Sequence, residues 1–96
     1  METIYLIEKC ALDTRPTILR IVGKDTGSLV QSYLRLDGML NFVSIGLLGN
    51  VTKRGWTYNA SFLCHKTISV FVDRSHFTVT DKIADVNLAI NAYENA

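Results

Sequence analysis

Apolar and polar residues alternate with period two through most of Trp56–Thr80, and this pattern constrains the fold more than any other feature of the chain. Leu63 is the one exception in the first part of this segment. Successive side chains of a strand point to opposite faces, so the alternation is typical of an antiparallel sheet with one buried face. The pattern predicts three strands connected as a meander: Trp56–Cys64, Thr67–Asp73 and His76–Thr80.

Two further strands are predicted before Gly23. Thr3–Lys9 and Thr17–Val22 are rich in β-branched and aromatic residues, the types that favour strands. Pro16 fixes its own φ and restricts the residue before it, which predicts a turn over Asp13–Pro16. The two runs are therefore interpreted as an N-terminal hairpin.

The middle of the chain carries weaker patterns. Ser28–Leu36 is predicted to be a helix that ends at Gly38, because four of its apolar residues would share one helical face. Met39–Leu48 is interpreted as a strand because alternate residues are apolar, with a short buried helix as the alternative. Gly49–Gly55 is predicted to be a loop or hairpin tip.

Length and composition limit the fold to one domain, residues 1–96, because a second domain would lack enough chain to bury its own core. We expect an α+β fold: a single-layer antiparallel sheet of five to six strands, with a central short helix and a C-terminal helix packed on one face. The formal net charge of +1 provides no strong field to attract nucleic acid or a membrane. Charges and glycines interrupt every apolar run, so no membrane span is expected, and two reduced cysteines would suit a cytoplasmic protein.

The C-terminal helix is predicted to begin at a cap on Thr80 or Asp81 and to end near Glu94. Apolar residues recur along it at spacings of three and four, which forms a stripe that covers the sheet. The stripe consists of Ile83, Val86, Ile90 and Tyr93.

The opposite face of this helix is unusual because no charged residue lies between Val86 and Tyr93. A helix face in contact with solvent normally carries Lys and Glu, and Asn is a poor helix former. Depletion of charge around an apolar centre distinguishes interface cores from other surface. We therefore predict a dimer contact or a docking surface here, with a tolerated polar face or a covering loop as the alternative. The predicted contact residues are Ala84, Asn87, Leu88, Asn91 and Asn95.

A second candidate surface is the loop Lys53-Arg54-Gly55-Trp56. Two cations followed by an aromatic residue suit phosphate contact and base stacking, and Arg and Trp are also enriched in protein-interaction hot spots. The alternative is that Trp56 belongs to the core, as its alternation with the following apolar residues indicates. A nucleic-acid function predicts that Lys53, Arg54, Lys66 and Arg74 share one surface around an exposed aromatic ring.

The sequence contains no catalytic, metal or nucleotide motif of specific spacing. Cys64 and His65 would point to opposite faces of a strand, so they cannot form a catalytic pair with each other. A cysteine-dependent enzyme would require Cys64 to approach His76, and Cys10 has no base in its neighbourhood. Both cysteines are better explained as packed thiols. We therefore predict no enzyme activity, no cofactor and no metal.

Together these features predict a small non-enzymatic protein-protein interaction module, expected to be a homodimer, whose protein partner the sequence does not identify. In length and lack of motifs the chain resembles small phage and mobile-element proteins that act as inhibitors by occluding a host protein or defence complex. No specific residues carry that resemblance. The alternatives are a nucleic-acid-binding module that uses Lys53, Arg54 and Trp56, and a cysteine-dependent enzyme. No membrane partner is expected.

Overall fold

A computed structural model of the protein describes residues 2–9, 14–61 and 66–95, and these form one antiparallel sheet followed by a C-terminal helix. The sheet has seven strands in the order β6-β5-β4-β3-β2-β1-β7. They are β1 (Thr3–Glu8), β2 (Ile18–Val22), β3 (Leu29–Leu36), β4 (Met39–Thr52), β5 (Gly55–Ser61), β6 (Thr67–Asp73) and β7 (Phe77–Thr80). Helix α1 covers Ile83–Glu94, and a single 3-10 turn, Arg74–His76, connects β6 to β7.

The connection between β6 and β7 requires the sheet to curl into a half-barrel. These strands lie at opposite edges, which in a flat seven-stranded sheet would be about 29 Å apart. An extended chain from Asp73 to Phe77 spans only about 14 Å. The two edges therefore approach each other at the turn. Backbone hydrogen bonds secure it on both sides, from Arg74 N to Arg54 O (2.8 Å) and from Lys9 N to His76 O (2.9 Å).

The curled sheet has a core on each of its faces. The inner core is formed by residues of six strands: Leu6, Leu19, Ile21, Val30, Leu48, Trp56 and Val72. The outer core lies where α1 packs on the sheet, and consists of Tyr5, Ile7, Ile18, Val86 and Ile90. Because α1 covers only the outer face, the inner core is buried by the curvature of the sheet itself.

The prediction of five to six strands with a central helix is wrong. The segment predicted as that helix, Ser28–Leu36, contains strand β3, which pairs with both β2 and β4. Its apolar residues are divided between the two faces, with Val30 in the inner core and Tyr33 against the outer core. Since strands on both sides provide backbone hydrogen bonds, sheet pairing overrides a weak helical pattern.

Asp37 and Gly38 form a hairpin turn instead of the predicted helix end. Both have positive φ, at 52° and 75°, and they connect the paired residues Leu36 and Met39. A two-residue loop with positive φ at both positions matches the twist of the flanking strands, and Asp-Gly is a preferred sequence for it.

The other predicted strands agree with the structure more closely. Met39–Leu48 is a strand, but β4 continues to Thr52 through much of the predicted loop, so that the turn is confined to Lys53 and Arg54. The predicted strands Thr3–Lys9 and Thr17–Val22 correspond to β1 and β2, and they pair as a hairpin.

The remaining strand boundaries can be compared only in part. Thr67–Asp73 is β6 with the predicted bounds, and β7 begins one residue after His76. The predicted meander is wrong at its last step, because β7 pairs with β1 at the opposite edge of the sheet and not with β6. The predicted strand Trp56–Cys64 is observed as β5 up to Ser61, and the rest of it lies outside the described residues. Part of the Asp13–Pro16 turn also lies outside them.

Candidate functional site

Helix α1 has the orientation that its apolar stripe predicts. Val86 and Ile90 are buried in the outer core, Tyr93 is half-buried, and Ile83 is more exposed. The start of the helix is tied to β7, because the Thr80 hydroxyl accepts a hydrogen bond from Lys82 N (3.1 Å) and donates one to the Asp85 carboxylate.

The other end of α1 is tied to the sheet by an ion pair between Arg35 of β3 and Glu94. Both side chains are partly exposed, so the pair contributes little to stability and mainly fixes position. With both ends attached and one face packed, the opposite face of α1 is presented in a defined orientation.

That opposite face, which we call the outer helix face, consists of Ala84, Asn87, Leu88, Asn91 and Asn95. All five residues are exposed. Leu88 lies at its centre with 68% of its surface exposed. The face is therefore an uncharged surface around an apolar side chain.

The second candidate surface, at the β4–β5 turn, differs from the prediction at Trp56. Lys53 and Arg54 are exposed, but Trp56 is only 4% exposed and packs in the inner core. The guanidinium carbon of Arg74 lies 4.1 Å from the centre of the Trp56 ring, a cation–π arrangement. Trp56 therefore supports this end of the sheet from within, and Lys53 and Arg54 are the parts of the loop that a partner can reach.

The fold brings together three of the four cations that the nucleic-acid hypothesis requires. Lys53 and Arg54 form the β4–β5 turn, and Arg74 is attached to it through the Arg54 carbonyl. Lys66 lies at the opposite end of β6.

The exposed aromatic residue near these cations is Phe71, which the sequence analysis did not single out. Phe71 is 49% exposed, and with Lys53 and Arg54 it lines a shallow depression of about 470 Å³. A pattern in the sequence could have identified it. Phe71 is the one apolar residue among the positions of β6 that alternate with Ile68, Val70 and Val72; the others are Thr67, Ser69 and Asp73.

The turn after β6 holds an acidic group beside the cations. The Asp73 carboxylate accepts hydrogen bonds from the Ser75 backbone N (2.9 Å) and hydroxyl (2.8 Å). These two bonds, the backbone one first, lower the pKa of Asp73, and the charges of His76 and Arg54 act in the same direction.

Replacing Ser75 by alanine is expected to raise the pKa of Asp73, because the hydroxyl bond to the ionised carboxylate is lost. The pKa should stay below its ordinary value, since the backbone bond remains. A lowered folded-state pKa adds stability above the unfolded-state pKa, and that stability is lost as the pH falls through the folded value. Carboxyl NMR titration measures the shift. Ser69→Ala, at an exposed serine of the same strand, should leave the pKa of Asp73 unchanged, and an equal shift there would contradict the assignment.

The described residues contain no group of three metal-ligating side chains and no helix long and apolar enough to cross a membrane. Cys10, Cys64 and His65 lie outside the described residues, so the interpretation of both cysteines as packed thiols stays a prediction, as does its alternative, in which Cys64 approaches His76. The chain matches no protein-family model, no curated protein and no solved structure in the comparisons made. The two exposed surfaces are therefore the features from which a function can be inferred.

Proposed function

We propose that this protein is a non-enzymatic binding module that docks onto another protein through the outer helix face. The observation that carries the proposal is the exposed Leu88 at the centre of an uncharged surface. Large exposed apolar groups in a surface depleted of charge are characteristic of the centres of protein interfaces. The asparagines around Leu88 can donate and accept hydrogen bonds at the rim of such an interface.

The attachment of α1 at both ends supports this proposal. Thr80 and Asp85 fix the start of the helix and Arg35 fixes its end. A surface that is already ordered loses little conformational entropy when a partner binds, so more of the contact energy contributes to affinity.

A second copy of the chain is the partner we propose first, because a net charge of +1 causes little repulsion between copies. A foreign protein that is occluded in the same way is the second proposed partner. We also propose a cytoplasmic location, in which both cysteines would be reduced.

Replacing Leu88 by lysine is expected to dissociate the dimer without unfolding the protein. A lysine at the centre of the interface would bury an unpaired charge, whereas in the monomer its side chain would extend into water. Sedimentation velocity over a concentration series measures the association, and circular dichroism measures the fold. We expect a monomer whose circular dichroism spectrum matches that of the wild type.

Ile68→Lys provides a matched control, because Ile68 is 50% exposed and lies on β6, five strands away from β1, against which α1 packs. This variant should sediment as the wild type does. A wild-type protein that stays monomeric at every concentration would contradict the second copy as partner. Loss of the fold in Leu88→Lys would contradict the assignment of Leu88 to an exposed docking surface.

A further inference from the structure

The outer face of β4, β5 and β6 forms a second surface, separate from α1, whose side chains are uncharged except for Asp73 at the end of β6. Strand pairing places Asn50 beside Thr57, Thr57 beside Phe71, and Asn59 beside Ser69. These side chains lie on the face opposite the buried pair of Trp56 and Val72. We call this surface the polar platform; its residues are Asn50, Thr57, Asn59, Ser69 and Phe71.

The composition of the polar platform is unusual for an exposed sheet. Four of its five side chains are amides and hydroxyls, which donate and accept hydrogen bonds without carrying charge. Phe71 lies among them with half of its surface exposed. Leu47, which pairs with Asn59, adds an exposed apolar side chain (51%) at its β4 side. An aromatic ring beside hydroxyl and amide groups offers both a stacking surface and hydrogen-bonding groups to a planar polar ligand.

Positive charges lie at both ends of the polar platform. Lys53 and Arg54 are at the β4–β5 turn, and Lys66 precedes β6 at the other end. Strand β6 has seven residues, so these ends are separated by about 20 Å. An extended ligand that carries repeated negative charges suits this arrangement, with its main contacts at Lys53 and Arg54, which border Phe71.

The basic end is also structurally supported. Lys53 and Arg54 line two neighbouring depressions, one with Phe71 and the other, of about 350 Å³, with Asp73, Arg74 and Ser75. The Arg54 carbonyl is held by the Arg74 backbone N, and the Arg74 guanidinium is held on the Trp56 ring. Asp73 reduces the local positive charge, but its carboxylate is engaged by Ser75.

We propose that the polar platform binds single-stranded nucleic acid, with one base stacked on Phe71 and phosphates on Lys53 and Arg54. Proteins that bind single strands combine a basic path for the backbone with aromatic side chains for the bases, and both elements are present here. Paired bases in a duplex would not present a free face to Phe71. An acidic protein or an anionic membrane would bind through the cations Lys53 and Arg54 and would not need the Phe71 ring.

Fluorescence anisotropy with labelled oligothymidylate and oligouridylate of about eight nucleotides tests this proposal. Affinity should fall with salt, with a slope of about −0.7 in log–log form for each phosphate contact. Lys53→Gln and Arg54→Gln should each weaken binding and reduce that slope by about 0.7. Phe71→Ala should weaken binding by about 5- to 150-fold and leave the salt slope unchanged. Phe71→Trp, which keeps an aromatic ring at this position, should bind as the wild type does.

Two control variants separate the polar platform from general effects. Ile68→Ala removes an equally exposed apolar side chain (50%) from the other face of β6, and Lys82→Gln removes an exposed lysine beside α1. Both should bind as the wild type does. Leu88→Lys should also bind normally, so failure of the proposed protein docking would leave this test unaffected.

Several outcomes would overturn the proposal. One is the absence of wild-type binding at low salt. Another is a Phe71→Ala variant with undiminished affinity, which would indicate that the cations attract any polyanion. Equal binding of a duplex of the same sequence, or of anionic phospholipid vesicles, would have the same consequence. Circular dichroism of each variant confirms that the fold is retained.

Discussion

Replacing Trp56 by alanine is expected to lower the free energy of unfolding by about 3–5 kcal/mol, the range for large aromatic side chains in a core. The ring is almost completely buried and packs with Leu48 and Val72 in the inner core. Its removal leaves a cavity at the centre of the curled sheet and takes away the aromatic surface on which Arg74 rests.

Urea denaturation followed by circular dichroism measures this loss, since the variant no longer has a tryptophan fluorophore. Phe71→Ala is the matched control, because Phe71 lies on the neighbouring strand but has only half of its surface buried. Its expected cost is about 1 kcal/mol. Equal losses at the two positions would show that the inner core is not where the sheet gains most of its stability.

The second large effect is expected for Gly55→Ala, which should destabilise the protein by about 3 kcal/mol or more. Gly55 has φ +151°, a conformation that residues with side chains rarely adopt. A Cβ at this position would also collide with the backbone carbonyl oxygen of Val72 on β6. Because that oxygen belongs to the backbone of a paired strand, it cannot move without disturbing β5–β6 pairing.

Comparison with Gly38→Ala separates the two expected causes of destabilisation in Gly55→Ala, which are backbone strain and the collision with Val72. Gly38 also has positive φ, at +75°, but no atom lies within 4 Å of the position that its Cβ would occupy. It should therefore lose about 1–2 kcal/mol from backbone strain alone. Urea unfolding of both variants gives the comparison. Similar losses would mean that strain alone, and not the collision with Val72, determines the cost at Gly55.

Local patterns in the sequence predicted the helices and strands whose own residues carry a clear periodicity. The period of three and four along α1 placed Val86 and Ile90 on the sheet, and alternation located β6. The segment around Tyr33 was assigned wrongly as a helix. Its apolar residues lie on both faces of the strand, and a short run of this kind is compatible with a helix as well as with a strand that is buried on both faces. The Asp37-Gly38 dipeptide is the local signal that distinguishes the two.

The candidate surfaces also differ in how far local sequence patterns predict them. The exposure of Leu88 follows from the phase of one helix, so the sequence was sufficient to predict it. Alternation along β5 offered a core position for Trp56 as the alternative, but the almost complete burial of the ring depends on the curling of the sheet over its own inner face. Phe71 gained its place beside Lys53 and Arg54 only through the order of β4, β5 and β6.

The connection between β6 and β7 also determines the order in which the strands pair during folding. Strands β2 to β6 each pair with the preceding strand, so they can form progressively as the chain is synthesised. The free edge of β1 is completed only by β7, whose residue Thr80 pairs with Tyr5. Joining such distant segments carries the largest loop-closure entropy in the molecule and is expected to be slow. Until that step, a nascent chain would expose an unpaired strand that favours aggregation.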